Sequence, residues 1–396
     1  MNDLALFGGT PVRSTLLPYA RQTVDEDDIR AVVEVLRSPW LTTGPEVQEF
    51  EHAFAKQTGA AHAVAVSSGT AALHAAVFAA RIGSGDEVIV PAMTFAATAN
   101  CVRYVGGTVV FVDVRSDTLS IDPAKAAEAV SPRTRAIVAV DYAGQPADLD
   151  ELKDLAERRG LVLIEDASHA AGAIYRGRRI GSVSPLTTFS FHPVKHVTTG
   201  EGGMLTTAEE SVAARLRSFR NHGITTGHRE REAHGSWWYE MVDLGYNYRL
   251  TDVQCALGRS QLRKLSEWLS RRHTIAVAYR QAMKELTELE PIDMLSDRTS
   301  AWHLYPVRVR LDRLRVGRAE VYRALRAENI GVNVHYIPVP WHPYYQGLGY
   351  VKGKWPVAEA AYKTLLSLPI FPSMSDQDVN DVLTACEKVL AAYRKG

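Results

Sequence analysis

A lysine on a tight turn between two short strands is the place where chemistry is most readily written into this sequence. The chain reads Phe189-Ser190-Phe191-His192-Pro193-Val194-Lys195, passes through Gly200, Gly202 and Gly203, and enters a second apolar run at 204–207. A lysine flanked by aromatic residues and glycines rather than by charges is poorly solvated, so its pKa falls. A neutral amine can form a Schiff base with an aldehyde cofactor. A lone lysine is ordinarily a solvated surface group, so the reading depends on the company Lys195 keeps.

That company arrives in a workable order. Ser67-Ser68-Gly69-Thr70 follows an apolar run at 63–66 and opens an alanine-rich helix. Free N–H groups, the positive end of the helix dipole and the hydroxyls would suit a phosphate there, although Ser-Gly-Thr also serves simply to cap a helix. Phe95, in Thr94-Phe95-Ala96, can stack on a flat heteroaromatic ring or pack as an ordinary core residue. Asp166 ends the run Leu161-Val162-Leu163-Ile164-Glu165-Asp166, where a carboxylate can keep a pyridine nitrogen protonated and make the ring an electron sink. It can equally cap the next helix. His169 would lie beside the phenolic oxygen of the cofactor or the substrate, and Ser190 can add a hydroxyl to the phosphate site. Phosphate cradle, ring platform, nitrogen partner and amine together point to pyridoxal 5'-phosphate.

These residues need a scaffold that gathers strand ends. Between residues 63 and 207 short apolar strands (63–66, 87–90, 108–112, 136–140, 161–165) alternate with amphipathic helices (70–80, 96–105, 123–130, 149–159). Such alternation predicts an α/β fold with a mostly parallel sheet covered on both faces, and a ligand crevice beyond the carboxyl ends of its strands. The expected organisation is an irregular arm at 1–24, a large α/β domain at 25–252 and a smaller α+β domain at 253–396. The last holds a long helix at 253–286, strands at 301–309 and 332–336, and helices at 318–328 and 376–394. Between the two domains, 221–247 is a long aromatic connection carrying Trp237, Trp238 and Tyr239, of a length associated with function.

Composition narrows the class. Lys+Arg and Asp+Glu are both 45 in 396 residues, with basic residues dispersed, which argues against nucleic acid or a membrane surface as partner. No apolar run approaches about 18 residues. Cys101, Cys255 and Cys386 lack CxxC spacing, which fits a reducing cytoplasm and no disulfide framework or zinc site. His192 and His196 are four apart, but Pro193 opposes a helix presenting both, so no metal is expected.

With Leu41-Thr42-Thr43-Gly44-Pro45, Ser68-Gly69-Thr70, Glu165-Asp166-Ala167-Ser168-His169, Phe191-His192-Pro193-Val194-Lys195, Asn221-His222-Gly223, Gly245-Tyr246-Asn247-Tyr248-Arg249 and His335-Tyr336-Ile337-Pro338, the chain resembles the DegT/DnrJ/StrS family end to end. These are pyridoxal phosphate-dependent, fold-type-I aminotransferases of nucleotide-linked keto sugars. The resemblance implies that Lys195 carries the cofactor, Asp166 faces the ring nitrogen, and Gly69, Thr70 and Ser190 hold the phosphate. It also implies a homodimer with shared active sites, Asn247 reaching the phosphate of the neighbouring subunit. In some relatives a histidine replaces the lysine and dehydration results, so Lys195 points to transamination.

Asp141-Tyr142-Ala143 and His303-Leu304-Tyr305-Pro306 are similar to the CMP-pseudaminic acid subgroup. That likeness implies ping-pong transfer from L-glutamate to C4 of a UDP-4-keto-6-deoxy-N-acetylhexosamine. Tyr142, His192, Arg249 and His335 are the candidate substrate contacts; Arg249 can clamp a carboxylate or pair across a dimer contact. Two other readings stand beside this one: another nucleotide-linked 3- or 4-keto sugar of perosamine or bacillosamine type, and a cofactor-binding regulator without turnover.

Overall fold

The computed structural model describes residues 3–395 and, for residues 228–230, the backbone only. The outermost residues of the expected arm and small domain (1, 2 and 396) lie outside it. The first half alternates as the apolar pattern predicts. Helices α1 (Glu26–Leu36) and α2 (Pro45–Thr58) precede β1 (His62–Val66), α3 (Gly69–Ala79), β2 (Glu87–Pro91), α4 (Ala96–Tyr104) and β3 (Thr108–Val112). Then come α5 (Pro123–Glu128), β4 (Thr134–Val140), α6 (Leu149–Arg159), β5 (Val162–Asp166), the short β6 (Ile174–Tyr175) and β7 (Arg178–Arg179), β8 (Leu186–Ser190) and β9 (Gly203–Thr207).

The central sheet has seven strands in the order β1-β9-β8-β5-β4-β2-β3. Pairings from β3 across to β8 are parallel, and β9 runs antiparallel to both β8 and β1. Because β2, β4 and β5 are buried on both faces, their runs are nearly continuous in Val, Ile, Leu and Ala instead of alternating with polar residues. β1, β4, β5 and β8 end at Val66, Val140, Asp166 and Ser190, all immediately beside residues of the chemical set.

Helices α7 (Glu210–Phe219) and α8 (His228–Ala233) lead to α9 (Asp252–Ala282), 31 residues long and unbroken. Thr251 and Gln254 form a capping box at its start, and the buried Asp252 carboxylate accepts from Gly44 N (2.7 Å) and Glu46 N (2.9 Å) at the head of α2. One side chain thus ties two helix starts together. α9 also spans two cores, giving Cys255, Leu262 and Leu265 to the layer under the central sheet and Ile275, Ala276 and Tyr279 to the core of the C-terminal part.

The remainder contains β10 (Leu289–Pro291), β11 (Arg298–Thr299), β12 (Tyr305–Val309), α10 (Arg318–Ala327), α11 (Pro343–Gln346), α12 (Pro356–Thr364), β13 (Leu365–Leu368) and α13 (Asp376–Tyr393). Strands β10, β12 and β13 form an antiparallel sheet. Two expected strands need correction. Residues 301–304 precede β12 as a loop, because Ala301 N and Leu304 N donate to Gly144 O and Ala143 O, in the segment after β4, instead of to a ladder. Residues 332–336 are irregular beyond an isolated pairing of Asn333 with Ser367, since Asn333 Oδ1 accepts from Val334 N and bends the chain inward. Both departures serve the cavity described next. The arm is anchored as well: Leu17 N and O pair with Asn329 O and Gly331 N, and the buried Glu328 carboxylate accepts from Ala5 N and Val12 N.

Candidate active site

Beyond the ends of β5 and β8 lies a cavity of about 530 Å³. Its phosphate-sized corner is built by close approach of backbones. Ser68 caps α3, its Oγ accepting from Ala71 N at 3.0 Å, and the first-turn N–H groups of Gly69 and Thr70 have no intrahelical acceptor by the geometry of a helix start. A Cβ on Gly69 would stand 2.7 Å from Ser190 Cβ, and one on Gly203 would stand 2.4 Å from Ser68 O. Only glycine lets the helix start, β8 and β9 meet this tightly. Ser68, Gly69, Thr70 and Ser190 all line the cavity.

The far end belongs to Asp166. Its Oδ2 accepts from Thr98 Oγ1 (2.7 Å) and its Oδ1 from Ser168 Oγ (2.6 Å) and Ser168 N (3.2 Å). Thr94 Oγ1 lies 2.8 Å from Thr98 Oγ1, so once Thr98 donates to the carboxylate, Thr94 donates to Thr98. The element after Asp166 is the strand β6 and not a helix for it to cap; its carboxylate closes a turn through Ser168 N and stands fixed on the cavity wall. Behind it Asp141 and Glu165 are completely buried, and burial raises both their pKa values, the Glu165 charge adding to the rise at Asp141 and the Asp166 charge to that at Glu165.

Lys195 enters from a turn closed by its own N–H donating to His192 O (2.9 Å). The turn is held by Phe191, whose N donates to Gly202 O and whose O accepts from Thr199 N, while its ring packs 5.3 Å from Phe50 and 5.5 Å from Phe54. Enclosure lowers the Lys195 pKa to about 8, with Asp166 pulling weakly the other way. Histidines surround it. His169, whose Nε2 lies 3.0 Å from Tyr336 Oη, and His303 are pushed well below the usual histidine range, first by burial and then by the Lys195 charge. The same causes bring His335 down to about 3. All three are uncharged at neutral pH.

The chemistry-bearing residues expected from sequence are thus brought together: Ser68, Gly69, Thr70, Phe95, Asp166, His169, Ser190, His192, Lys195 and His335 line one cavity. Phe95 is 58% exposed, placed at the mouth 6.0 Å from the Tyr336 ring and not in the core. Three others lie elsewhere. Tyr142 is wholly buried and donates to His335 O (2.5 Å), so it supports a wall and presents nothing to a substrate. Arg249 Nη1 donates to Asn221 Oδ1 (2.7 Å), and Asn247 pairs through its backbone with Asn221; neither faces the cavity of its own chain. Trp237 and Trp238 are 81% and 60% exposed on the long connection.

Sequence reasoning missed Thr98, Ser168, Tyr19 and Tyr336. Thr98, in the first turn of α4, stands four residues after Thr94, which lies just ahead of that helix, and this pairing of hydroxyls could have exposed the relay to Asp166. Tyr19, carried in by the arm to 5.4 Å from the His335 ring, has no local signal.

A mostly parallel sheet, a helix-start phosphate corner, a fixed strand-end carboxylate and an enclosed lysine define a fold-type-I, pyridoxal phosphate-dependent transferase. The glycine-built corner and the cavity-facing amine, its pKa brought down to about 8, fit that cofactor. The comparison with known proteins makes the class specific: residues 22–387 match the DegT/DnrJ/EryC1/StrS aminotransferase family, and the chain belongs to it. It is 44% identical to the spore coat polysaccharide biosynthesis protein SpsC of Bacillus subtilis, over 96% of this chain and 98% of that one. Among solved structures, the pyridoxal phosphate form of the putative sugar aminotransferase Spr1654 from Streptococcus pneumoniae superimposes with a TM-score of 0.88 at 32% identity, covering 95% of this chain and 100% of the other. Helicobacter pylori PseC, an aminotransferase involved in pseudaminic acid biosynthesis, does so with 0.89 at 29%, covering 96% and 100%. The chain is a pyridoxal phosphate-dependent sugar aminotransferase. No helix among its described residues is long and apolar enough to cross a membrane.

Proposed function

We propose that this enzyme moves an amino group from L-glutamate to C4 of a UDP-4-keto-6-deoxy-N-acetylhexosamine of β-L-arabino configuration, as a homodimer in the cytoplasm. The observation that carries the reaction type is the single cavity in which Lys195, Asp166 and the corner at Ser68, Gly69, Thr70 and Ser190 meet. Likeness to PseC over nearly the whole chain supports the sugar.

Pyridoxal phosphate, when bound, supplies an electron-poor ring that stabilises negative charge on the carbon bearing the amine. The chain's own residues do the rest. The corner at Ser68, Gly69, Thr70 and Ser190 would hold the phosphate through backbone N–H groups and hydroxyls. Asp166, locked by Thr98 and Ser168, would offer a carboxylate to the ring N–H, and Phe95 and His169, which line the same cavity, would help hold the ring. Lys195 Nζ, its pKa near working pH, would remove the α-proton of glutamate and deliver a proton to the cofactor's carbonyl carbon across the shared nitrogen; the same atom would work in reverse on the keto sugar. His169, His303 and His335 are uncharged, while the pKa of Lys195, at about 8, puts its change of charge near working pH. Asn247 and Arg249, turned away from their own cavity, are assigned to that of a second subunit.

The 44% identity with SpsC favours a second reading, a different nucleotide-linked 3- or 4-keto sugar. Incubation with 15N-labelled L-glutamate and each keto sugar separates the two. The label is expected at C4 of the UDP-linked sugar; label only in a different sugar, or at C3, would replace the first substrate by the second.

A further inference from the structure

His303 sits in the loop ahead of β12 and has been given no contact with cofactor or substrate, yet its side chain is the one placed against Lys195 Nζ. Its Nε2 stands 3.4 Å from Lys195 Nζ. Asp166, the charge that acts on Lys195 through space, has its oxygens occupied by Thr98 and Ser168. The loop that presents His303 is fixed from both sides. Ala301 N and Leu304 N donate to Gly144 O and Ala143 O. From below, the buried Arg272 guanidinium donates through Nη1 to Trp302 O (3.0 Å), His303 O (3.5 Å) and Ile370 O (2.9 Å). The ring itself is wedged, with its centroid 4.4 Å from His169 and 5.5 Å from His196.

We propose that His303 is a positioning residue for amino transfer: its uncharged imidazole holds the displaced Lys195 amine beside the reacting carbons without locking it as an ammonium. The proposal rests on Lys195 being the proton-moving group.

The physical point is the sign of the partner. A carboxylate at this distance would stabilise the ammonium by Coulomb attraction in a site with little water, and a base locked as its conjugate acid cannot take the α-proton. With no partner at all, a four-carbon side chain in an open cavity would have rotamer freedom to leave the reacting carbons. A neutral hydrogen-bonding ring avoids both faults. Enclosure lowers the Lys195 pKa and Asp166 pulls it back up; the rim carboxylate Glu201 is the other acidic group on the cavity, Arg272 lies behind His303, and His169, His196 and His335 are themselves uncharged.

The test uses the full-length enzyme, with and without pyridoxal phosphate, and three variants: His303→Gln, His303→Leu and His303→Glu. Competitive acetylation with isotope-coded acetic anhydride, read on the Lys195 peptide across neutral and alkaline pH, gives the titration midpoint of this amine without turnover. His303→Glu is expected to raise that midpoint by about one pH unit or more and His303→Gln to leave it within about half a unit. In steady state, His303→Leu is expected to lower kcat about 100-fold with KM for glutamate within about threefold, and His303→Gln to recover most of the loss. An unmoved midpoint in His303→Glu, or equal losses in the Gln and Leu variants, would overturn the proposal. Should the Leu variant not fold, the Glu and Gln midpoints still decide. Bound cofactor must protect Lys195 from acetylation in the wild type. Absent protection, the Lys195 assignment itself fails, whereas protection with an unmoved midpoint removes only His303.

Discussion

Replacing Lys195 by methionine should make the cofactor-free protein more stable at neutral pH. A free lysine titrates at 10.5, and enclosure brings Lys195 to about 8. The folded state therefore binds fewer protons than the unfolded chain between those values, so stability rises with pH across that window. Below it the full penalty for burying the ammonium is present. At about 1.36 kcal/mol per pH unit, the gap amounts to roughly 3 kcal/mol at pH 7. Methionine fills similar space without a charge, so Lys195→Met removes that penalty and gives up one long hydrogen bond to His303. Urea unfolding of both proteins, stripped of cofactor and compared at about pH 7 and about pH 10, measures the difference. The variant is expected to be more stable by about 2–3 kcal/mol at the lower pH, with most of the gap gone at the higher one. A wild type as stable as the variant at neutral pH, or a gap that widens with alkalinity, would show that Lys195 is not enclosed as described. Other titrating groups cancel in the comparison.

Two further substitutions probe the scaffold. Gly69→Ala would place a Cβ 2.7 Å from Ser190 Cβ, forcing the helix start away from β8; cofactor affinity should fall at least about tenfold in equilibrium titration, with thermal stability changed little. Arg272→Met would leave the carbonyls of Trp302 and Ile370 without their donor; at about 1–3 kcal/mol for each buried group left unpaired, the apparent Tm should drop by several degrees. An unchanged midpoint would mean that water or a shifted side chain replaces the guanidinium.

Much of the first 207 residues was legible because the sheet is local in logic: each strand is a short apolar run, each helix an amphipathic one, and each functional residue sits where a strand stops. Lys195, Asp166 and the Ser68–Thr70 turn could be read for that reason. What was illegible depends on contacts between distant segments. Residues 332–336 have the composition of a strand, but Asn333 bends them into the cavity and only one isolated pairing forms. Residues 301–304 look like the start of β12 until the backbone of Ala143 and Gly144 claims their N–H groups. Tyr142 carried a motif signal without the position it suggested, since its hydroxyl reaches only the His335 carbonyl. His303 showed the converse, a motif residue whose contact with Lys195 no spacing could reveal.

The central claim is that Lys195 holds pyridoxal phosphate and shuttles amino groups from glutamate to a keto sugar. The visible absorption of the cofactor-loaded enzyme tests it most directly, recorded alone, after L-glutamate, and after a UDP-4-keto-6-deoxy-N-acetylhexosamine of L-arabino configuration. The band of the lysine-bound cofactor should be present, bleach with glutamate and return with the sugar, and it should be absent from Lys195→Ala. A wild-type protein without that band, or a Lys195→Ala variant that keeps it, would contradict the account.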